Sequence, residues 1–206
     1  MTKQILVVDS SPRAGSVSRK LTRQIADRLL GQHPDTRHVH RDLAAAPLPH
    51  LTEDVITSFY TRPDQRDARL TEAVALSDAA VDELLASDII VIGAPMWNFN
   101  VPSVLKAWID HVVRSGRTFA YGPNGPVGLA SGRKAIVVLS SGGIYSEGPA
   151  QAMDFQTTYL RSLLGFIGIT DVSFVRAEGV SVGRDGHEKA LTAAEAQMSQ
   201  ILGKAA

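Results

Sequence analysis

The sequence predicts a doubly wound α/β fold, in which a parallel five-stranded sheet carries helices on both faces. Short apolar runs of four or five residues alternate with longer segments whose apolar residues recur every three or four positions. Polar loops follow the first, third and fourth of these runs. Strands that alternate with helices favour a parallel sheet, because each crossover helix packs back onto a face of the sheet.

The composition is that of an ordinary globular domain covering residues 1–206. Hydrophobic residues make up 44% of the chain, which is enough for a sizeable core. The 21 basic residues balance the 21 acidic ones, so no nucleic-acid or acidic-polymer partner is expected. Cysteine is absent, which excludes disulfides, thiolate metal sites and cysteine nucleophiles. We see neither a signal-peptide pattern nor an apolar run near the ~20 residues of a membrane span, and therefore expect a cytoplasmic protein with no membrane partner.

The first strand is predicted at residues 5–8, and the helix after it begins near Val17 and ends near Gly31. The hydroxyls of Ser16 and Ser18 fall at the start of this helix, where unpaired backbone amides and the helix dipole favour an anion. A single serine there is an ordinary helix cap. The loop, however, contains four serines, which favours a phosphate site: Ser10, Ser11, Ser16 and Ser18.

Residues 36–43 form a weak second strand with an alternating pattern. His38 and His40 share a face of it and have the spacing of a metal pair, but no third ligand follows at useful spacing. We therefore expect no metal site and interpret both histidines as solvent-facing residues of an edge strand. Residues 50–68 are polar and predict an irregular surface excursion, and residues 69–86 predict a helix that covers the sheet.

The third strand, residues 89–93, leads directly into the loop 94–102, with the sequence Ala-Pro-Met-Trp-Asn-Phe-Asn-Val-Pro. Such a loop presents flat apolar surface and amide groups at the carboxyl edge of the sheet, as a flat, partly polar ring such as a flavin requires. Pro102 then opens a helix that is predicted to end at Gly116, since proline is well tolerated in the first helical turn.

Residues 117–132 predict a long glycine-rich loop. Its aromatic residues Phe119 and Tyr121 are either a plug on the core or a wall over a ligand, and the sequence leaves both open. The fourth strand, residues 135–139, ends in Ser-Ser-Gly-Gly, where adjacent glycines allow close approach to a ligand or form a plain tight turn. A helix at 156–168, a strand at 172–175 and a helix at 190–202 complete the chain.

This succession of elements fits the flavodoxin-like strand order 2-1-3-4-5. Ligands in such sheets bind outside the carboxyl ends of the strands, between strands one and three. The loops after strands one, three and four converge there, so we expect one binding site at this edge.

Other nucleotide and hydrolase motifs do not explain these loops. The sequence contains neither G-x-G-x-x-G nor the G-x-x-x-x-G-K-[ST] phosphate loop. Residues 179–183 match G-x-S-x-G, but only Asp185 and His187 follow, too close to Ser181 to come from separate strands. We interpret this match as chance. No ionisable cluster suits acid–base catalysis, so we predict no catalytic side chain and a flavin that carries the hydride chemistry itself.

Four ordered motifs carry a resemblance that covers essentially the whole chain: residues 95–100, the Ser-Val-Ser at 16–18, the Ser-Ser-Gly-Gly at 140–143, and Gly-Phe-Ile-Gly-Ile-Thr-Asp at 165–171. Together they resemble the FMN-dependent NADH-azoreductases, also called NADH:quinone reductases, of bacteria. The resemblance implies a single flavodoxin-like FMN-binding domain and a homodimer with two FMN sites at the subunit interface. It also implies a ping-pong cycle, in which NADH or NADPH reduces the flavin and a quinone or azo compound then takes two electrons.

The resemblance also implies roles for individual residues. The phosphate would be held by Ser10 or Ser11 together with Ser16, Val17 and Ser18. The flavin ring would be lined by Pro95, Met96, Trp97, Asn98 and Phe99, and its pyrimidine side approached by Ser140, Ser141, Gly142 and Gly143. Tyr121 and Phe166 match substrate-pocket positions that act across the dimer interface. Two positions depart from the pattern: Trp97 stands where many relatives have Tyr, and Ser141 where many have Arg.

A second function remains open at this level, that of an FMN-binding electron carrier without substrate turnover, like a flavodoxin. Flavodoxins are usually strongly acidic, and the balanced charge of this chain weighs against that alternative.

Overall fold

The computed structural model describes residues 4–203. Its strands are β1 (Gln4–Asp9), β2 (Arg37–Asp42), β3 (Ile89–Pro95), β4 (Phe119–Gly122), β5 (Gly125–Gly128), β6 (Lys134–Ser140) and β7 (Asp171–Ala177). Its helices are α1 (Val17–Gln32), α2 (Glu53–Tyr60), α3 (Ala68–Ala86), α4 (Ser103–Val112), α5 (Phe155–Phe166) and α6 (Gly186–Gly203), with short 3₁₀ turns at Pro63–Gln65 and Pro149–Met153.

Five strands form one parallel sheet in the order β2-β1-β3-β6-β7. Because β4 and β5 lie outside it, this is the predicted order 2-1-3-4-5, and the predicted flavodoxin-like fold is confirmed. Successive residues of β1 point to opposite faces, so Leu6 packs with α3, α4 and α5 while Val7 packs with α1 and α6. Burial on both faces explains why the strands are continuous apolar runs.

Residues 50–68, predicted as irregular, contain the helix α2. The Thr52 hydroxyl caps this helix by accepting from the Val55 amide, and the Ser58 hydroxyl inside it donates to the Leu70 carbonyl of α3. Only Val55 and Ser58 are buried in α2, so the segment shows no long apolar stripe. The expectation of irregular structure is therefore wrong.

Residues 117–132, predicted as a loop, contain the antiparallel hairpin β4–β5. The hairpin lies against the end of α5 with no room for a side chain at Gly128, where an added Cβ would lie 2.1 Å from the Gly168 nitrogen. The preceding helix α4 ends at Val112, four residues before Gly116. Gly116 has φ +76° and instead closes a turn by donating to the Phe119 carbonyl.

None of the helices within residues 4–203 combines the length and the apolar character needed to cross a membrane.

Candidate functional site

The loops at the carboxyl edge of the sheet enclose a cavity of about 250 Å³, which we call the polar cavity. It is lined by residues that follow β1, β3, β6 and β7: Ser11, Arg13, Gly15, Ser16, Val17, Pro95, Met96, Trp97, Ser140, Ser141, Gly142, Val180, Ser181 and His187. The predicted convergence of three loops on one place is thus found in the structure, together with a fourth loop after β7.

The loop between β1 and α1 supplies hydrogen-bond donors. Ser16 caps α1, its hydroxyl accepting from the Arg19 amide at 3.2 Å and lying 3.2 Å from the Ser18 hydroxyl. Within the described chain, the amides of Val17 and Ser18 have no hydrogen-bond acceptor. Free amides at a helix start, where the helix dipole is positive, are suited to bind an anion.

The loop between β3 and α4 contains a tight two-residue turn. Trp97 and Asn100 exchange both backbone hydrogen bonds, at 2.9 and 3.0 Å, around Asn98 and Phe99. Both central residues have positive φ, 47° for Asn98 and 68° for Phe99, as in a type I′ turn. Bulky residues rarely adopt this conformation, so the loop carries backbone strain while its side chains remain accessible.

Neighbouring elements hold this loop in place. The Met96 amide donates to the Ser140 carbonyl at 2.8 Å, which joins it to the loop after β6. Gln156, buried in the first turn of α5, donates to the Pro95 carbonyl at 3.2 Å. The Trp97 ring is half exposed, because none of these contacts covers it.

The loop after β6 is held by the loop after β7. The amides of Gly179, Val180 and Ser181 donate to the carbonyls of Gly143, Ser141 and Gly142, at 2.8, 3.1 and 3.1 Å. The G-x-S-x-G segment at 179–183 therefore supports the Ser-Ser-Gly-Gly turn through its backbone. Close packing at Gly142, where a Cβ would lie 3.3 Å from the Ser181 hydroxyl, favours a residue without a side chain.

A second, larger cavity of about 700 Å³ lies on the other side of Trp97, and we call it the apolar cavity. Trp97 lines both cavities, and the apolar one also includes Asn98, Val101, Val104 and Tyr159. Burial, together with the negative charge of Asp110, raises the pKa of Tyr159 to about 12, so this phenol is a neutral hydrogen-bonding group at physiological pH.

Comparisons with known proteins agree with this geometry. Residues 3–202 match the family model described as the flavodoxin-like fold. The chain is 49% identical over 203 residues to an FMN-dependent NADH:quinone oxidoreductase of Herminiimonas arsenicoxydans, covering 98% of this chain and 99% of that one. A protein of the same name from Ralstonia nicotianae is 50% identical over 204 residues, 98% of each chain.

The chain belongs to the FMN-dependent NADH:quinone oxidoreductase family. Among solved structures, an azoreductase from Bacillus anthracis str. Sterne has 32% sequence identity and a TM-score of 0.91, covering 98% of this chain and all of that one. The family expected from the four sequence motifs is confirmed.

Nine residues that the family resemblance assigned to the cofactor line the polar cavity: Ser11, Ser16, Val17, Pro95, Met96, Trp97, Ser140, Ser141 and Gly142. The other five lie close by. Ser10 uses its hydroxyl internally, donating to the Gly93 carbonyl at 2.6 Å, and Ser18 is fully buried beside Ser16. Asn98 faces the apolar cavity, Phe99 packs edge-on against Tyr145, and Gly143 lies beneath the same tyrosine ring.

The two residues that the family resemblance assigned to the substrate pocket lie elsewhere. Tyr121 and Phe166 belong to an aromatic patch in which both rings pack against Phe119. Phe166 ends α5, whose first turn holds the Pro95 carbonyl, so roughly 15 Å of helix separates it from the polar cavity. Neither residue lines the polar cavity or the apolar cavity. The question of plug or wall is resolved in part, because Phe119 is buried and Tyr121 is 75% exposed.

Sequence reasoning missed the lining residues after β7, namely Val180, Ser181 and His187. The signal was available, because the fifth strand of a parallel sheet ends at the same edge as the others.

Proposed function

We propose that this chain is an FMN-dependent enzyme that uses NADH to reduce quinones and azo compounds, two electrons at a time. The observation that carries the proposal is the polar cavity, which places a helix start rich in serine hydroxyls and free amides opposite a loop with accessible Met96 and Trp97. The names of the relatives and of the structural neighbour support it.

The residues of the polar cavity fit the parts of FMN. The amides of Val17 and Ser18 and the hydroxyl of Ser16 would hold the phosphate, with Arg13 as a cationic neighbour. The apolar side chain of Met96 and the flat indole of Trp97 would lie along the ring.

The narrow turn after β6 would meet the pyrimidine edge of the ring with the backbone of Ser140, Ser141 and Gly142. Gly142 is exposed and has no Cβ, so an aromatic edge can approach its backbone.

The protein and the cofactor divide the work. Bound FMN supplies the hydride chemistry. The chain supplies binding and orientation, since within residues 4–203 the only ionisable side chains that line the polar cavity are Arg13 and His187. The loops, joined by backbone hydrogen bonds, would hold the ring in one orientation for both half-reactions, so that donor and acceptor would use the same place in turn.

We further propose that the enzyme is a homodimer. In its own chain, Phe166 lies far from the polar cavity, yet it belongs to an exposed apolar surface with Tyr121 and Val127. A second copy would cover this surface and bring Tyr121 and Phe166 to the acceptor side of the neighbouring flavin. Equilibrium sedimentation of the FMN-loaded protein tests this, and a monomer at micromolar concentration would contradict it.

The proposal also includes a single domain and a cytoplasmic location. Both core clusters pack on the two faces of one five-stranded sheet, which supports one domain over residues 1–206. The requirement for a reduced nicotinamide supports the cytoplasm, where this reductant is produced.

Two measurements test the function. Protein loaded with FMN and then dialysed should retain flavin absorbance, and it should oxidise NADH when benzoquinone or methyl red is added. Loss of all flavin on dialysis would reject FMN binding. Retained flavin without NADH oxidation would instead support the electron-carrier alternative, and parallel assays with NADPH measure the preference for the reductant.

A further inference from the structure

We propose that Arg19 is a positioning residue for the phosphate of FMN: it holds the Ser11 carbonyl away from the polar cavity and so makes the β1–α1 loop selective for a phosphorylated flavin. This inference rests on the function proposed above. It concerns a residue that does not line the polar cavity.

Arg19 holds the β1–α1 loop through the Ser11 carbonyl. Its guanidinium donates twice to the Ser11 carbonyl, from Nε at 2.9 Å and from Nη2 at 2.6 Å. The residue after Ser11 is Pro12, which has no amide hydrogen, so this carbonyl is the only hydrogen-bonding group of that peptide unit. A carbonyl oxygen turned into the cavity would repel a phosphate dianion.

The direction of the carbonyl follows from where Arg19 lies. Arg19 lines a separate surface groove between α1 and β2, together with Asp9 and His40. The Ser11 carbonyl is thus paired with a residue of the groove, while Ser11 itself lines the polar cavity and its hydroxyl accepts from the Arg13 amide at 3.3 Å. Ser11 therefore borders the polar cavity while Arg19 holds its carbonyl.

Two carboxylates hold Arg19 itself in place. Asp42, the last residue of β2, accepts two hydrogen bonds from the guanidinium, at 2.6 and 2.8 Å. The Asp9 carboxylate lies 3.9 Å away and is itself fixed by the Thr22 hydroxyl at 2.8 Å. Bidentate pairing restricts the guanidinium to one plane. The position of β2 therefore determines the position of the β1–α1 loop through Asp42 and Arg19.

Arg19 acts through geometry more than through charge. Its single positive charge is matched by the carboxylates of Asp42 and Asp9, so it adds no net attraction for a phosphate. The hydrogen bond from Arg19 lowers the pKa of Asp42 to about 2, so the pair is ionised at neutral pH. Arg13, which lines the cavity, would instead act on the phosphate directly.

The test compares FMN with riboflavin, which has the same ring and no phosphate. Dissociation constants for both are measured by quenching of flavin fluorescence in the wild type, Arg19→Gln, Arg19→Lys and Asp42→Asn. We expect FMN affinity to fall by about tenfold or more in all three variants, with riboflavin affinity changed by less than about twofold. Lysine keeps the charge and lacks the planar fork, so it should not rescue FMN binding.

Arg41→Gln is the matched control. Arg41 forms a bidentate pair with Glu83 at 2.5 and 2.6 Å, and its side chain is 21% exposed, against 18% for Arg19. It is adjacent to Asp42 on β2, and its side-chain hydrogen bonds within the described residues go to Glu83 and not to the β1–α1 loop. This variant should keep the wild-type ratio of FMN to riboflavin affinity, and circular dichroism should show a folded protein in every case.

The outcomes are separable. Equal loss of FMN and riboflavin affinity in the Arg19 variants would make Arg19 a general structural residue and overturn the inference. An unchanged affinity ratio in Arg19→Lys would also overturn it, because charge alone would then suffice. If Arg19→Gln does not fold, Arg19→Lys and Asp42→Asn still decide. A wild type that binds neither flavin would reject the proposed function itself.

Discussion

The tight turn at Asn98 and Phe99 allows backbone strain to be separated from side-chain chemistry at one position. Asn98 has φ +47°, in the left-handed region, which asparagine and glycine tolerate and alanine disfavours. Its side chain is exposed and makes no hydrogen bond within the described residues, so replacing it removes no buried contact. Asn98→Ala and Asn98→Gly both delete the amide, but only alanine adds strain.

The expected magnitudes follow from this difference. Alanine in the left-handed region should cost about 1 kcal/mol, whereas glycine should change stability by only a few tenths. For a chain of 206 residues, about 1 kcal/mol lowers the melting temperature by roughly 2–4 °C. If the amide hydrogen-bonds to the bound flavin, both variants should lose turnover by about tenfold, the equivalent of one such bond.

Melting of the flavin-free protein by circular dichroism and turnover per bound flavin are the two assays. Equal melting temperatures for the alanine and glycine variants would refute the strain argument. Full turnover in Asn98→Gly would refute a role for the amide, whatever the melting temperatures show.

Three further predictions concern other parts of the chain. Asp42 has a depressed pKa of about 2, so its pairing stabilises the fold above pH 3.8 and the stabilisation is lost as the pH falls toward 2; acid unfolding of Asp42→Asn should lack this component. Gly128→Ala should lower the free energy of unfolding, measured in urea, by about 3 kcal/mol, because backbone atoms of Gly168 leave no space for a side chain. Gly31→Ala, where the added Cβ meets open space, should not lower it. Ultraviolet titration should show Tyr159 still protonated at pH 11, with Tyr159→Phe removing that late transition; ionisation near pH 10 would contradict the burial argument.

The elements predicted best from the sequence were those buried on both sides. Residues 5–8 and 89–93 are central strands whose every side chain meets a helix layer, so they leave an unbroken apolar run. The helix α2 buries only two residues and the hairpin strands are four residues long, so neither produces a detectable hydrophobic periodicity in the sequence. Their positions depend on contacts with α3 and with the end of α5, which are tertiary.

The candidate site was likewise predicted only in part from the sequence. The general place of the cavity follows from strand order, and the serine, aromatic and glycine loops were readable as local motifs. The hydrogen bonds from Arg19 to the Ser11 carbonyl could not be predicted, because the orientation of the guanidinium depends on Asp42, which lies 23 residues further along the chain. Likewise, the position of His187 in the lining depends on where α6 begins.

One chain carries the polar cavity and the aromatic patch at opposite ends of α5, and in the proposed function these would be two parts of a catalytic centre. In the proposed homodimer, each centre would therefore draw on two different chains. Subunits altered only at Phe166 and subunits altered only at Trp97, which lines the polar cavity, would each be defective alone. Mixed dimers would gather both defects in one centre and leave the other intact, so each mixed dimer should have about half the activity of a wild-type dimer. Random exchange between equal amounts of the two preparations makes about half of the dimers mixed, so the mixture should regain about a quarter of the wild-type activity.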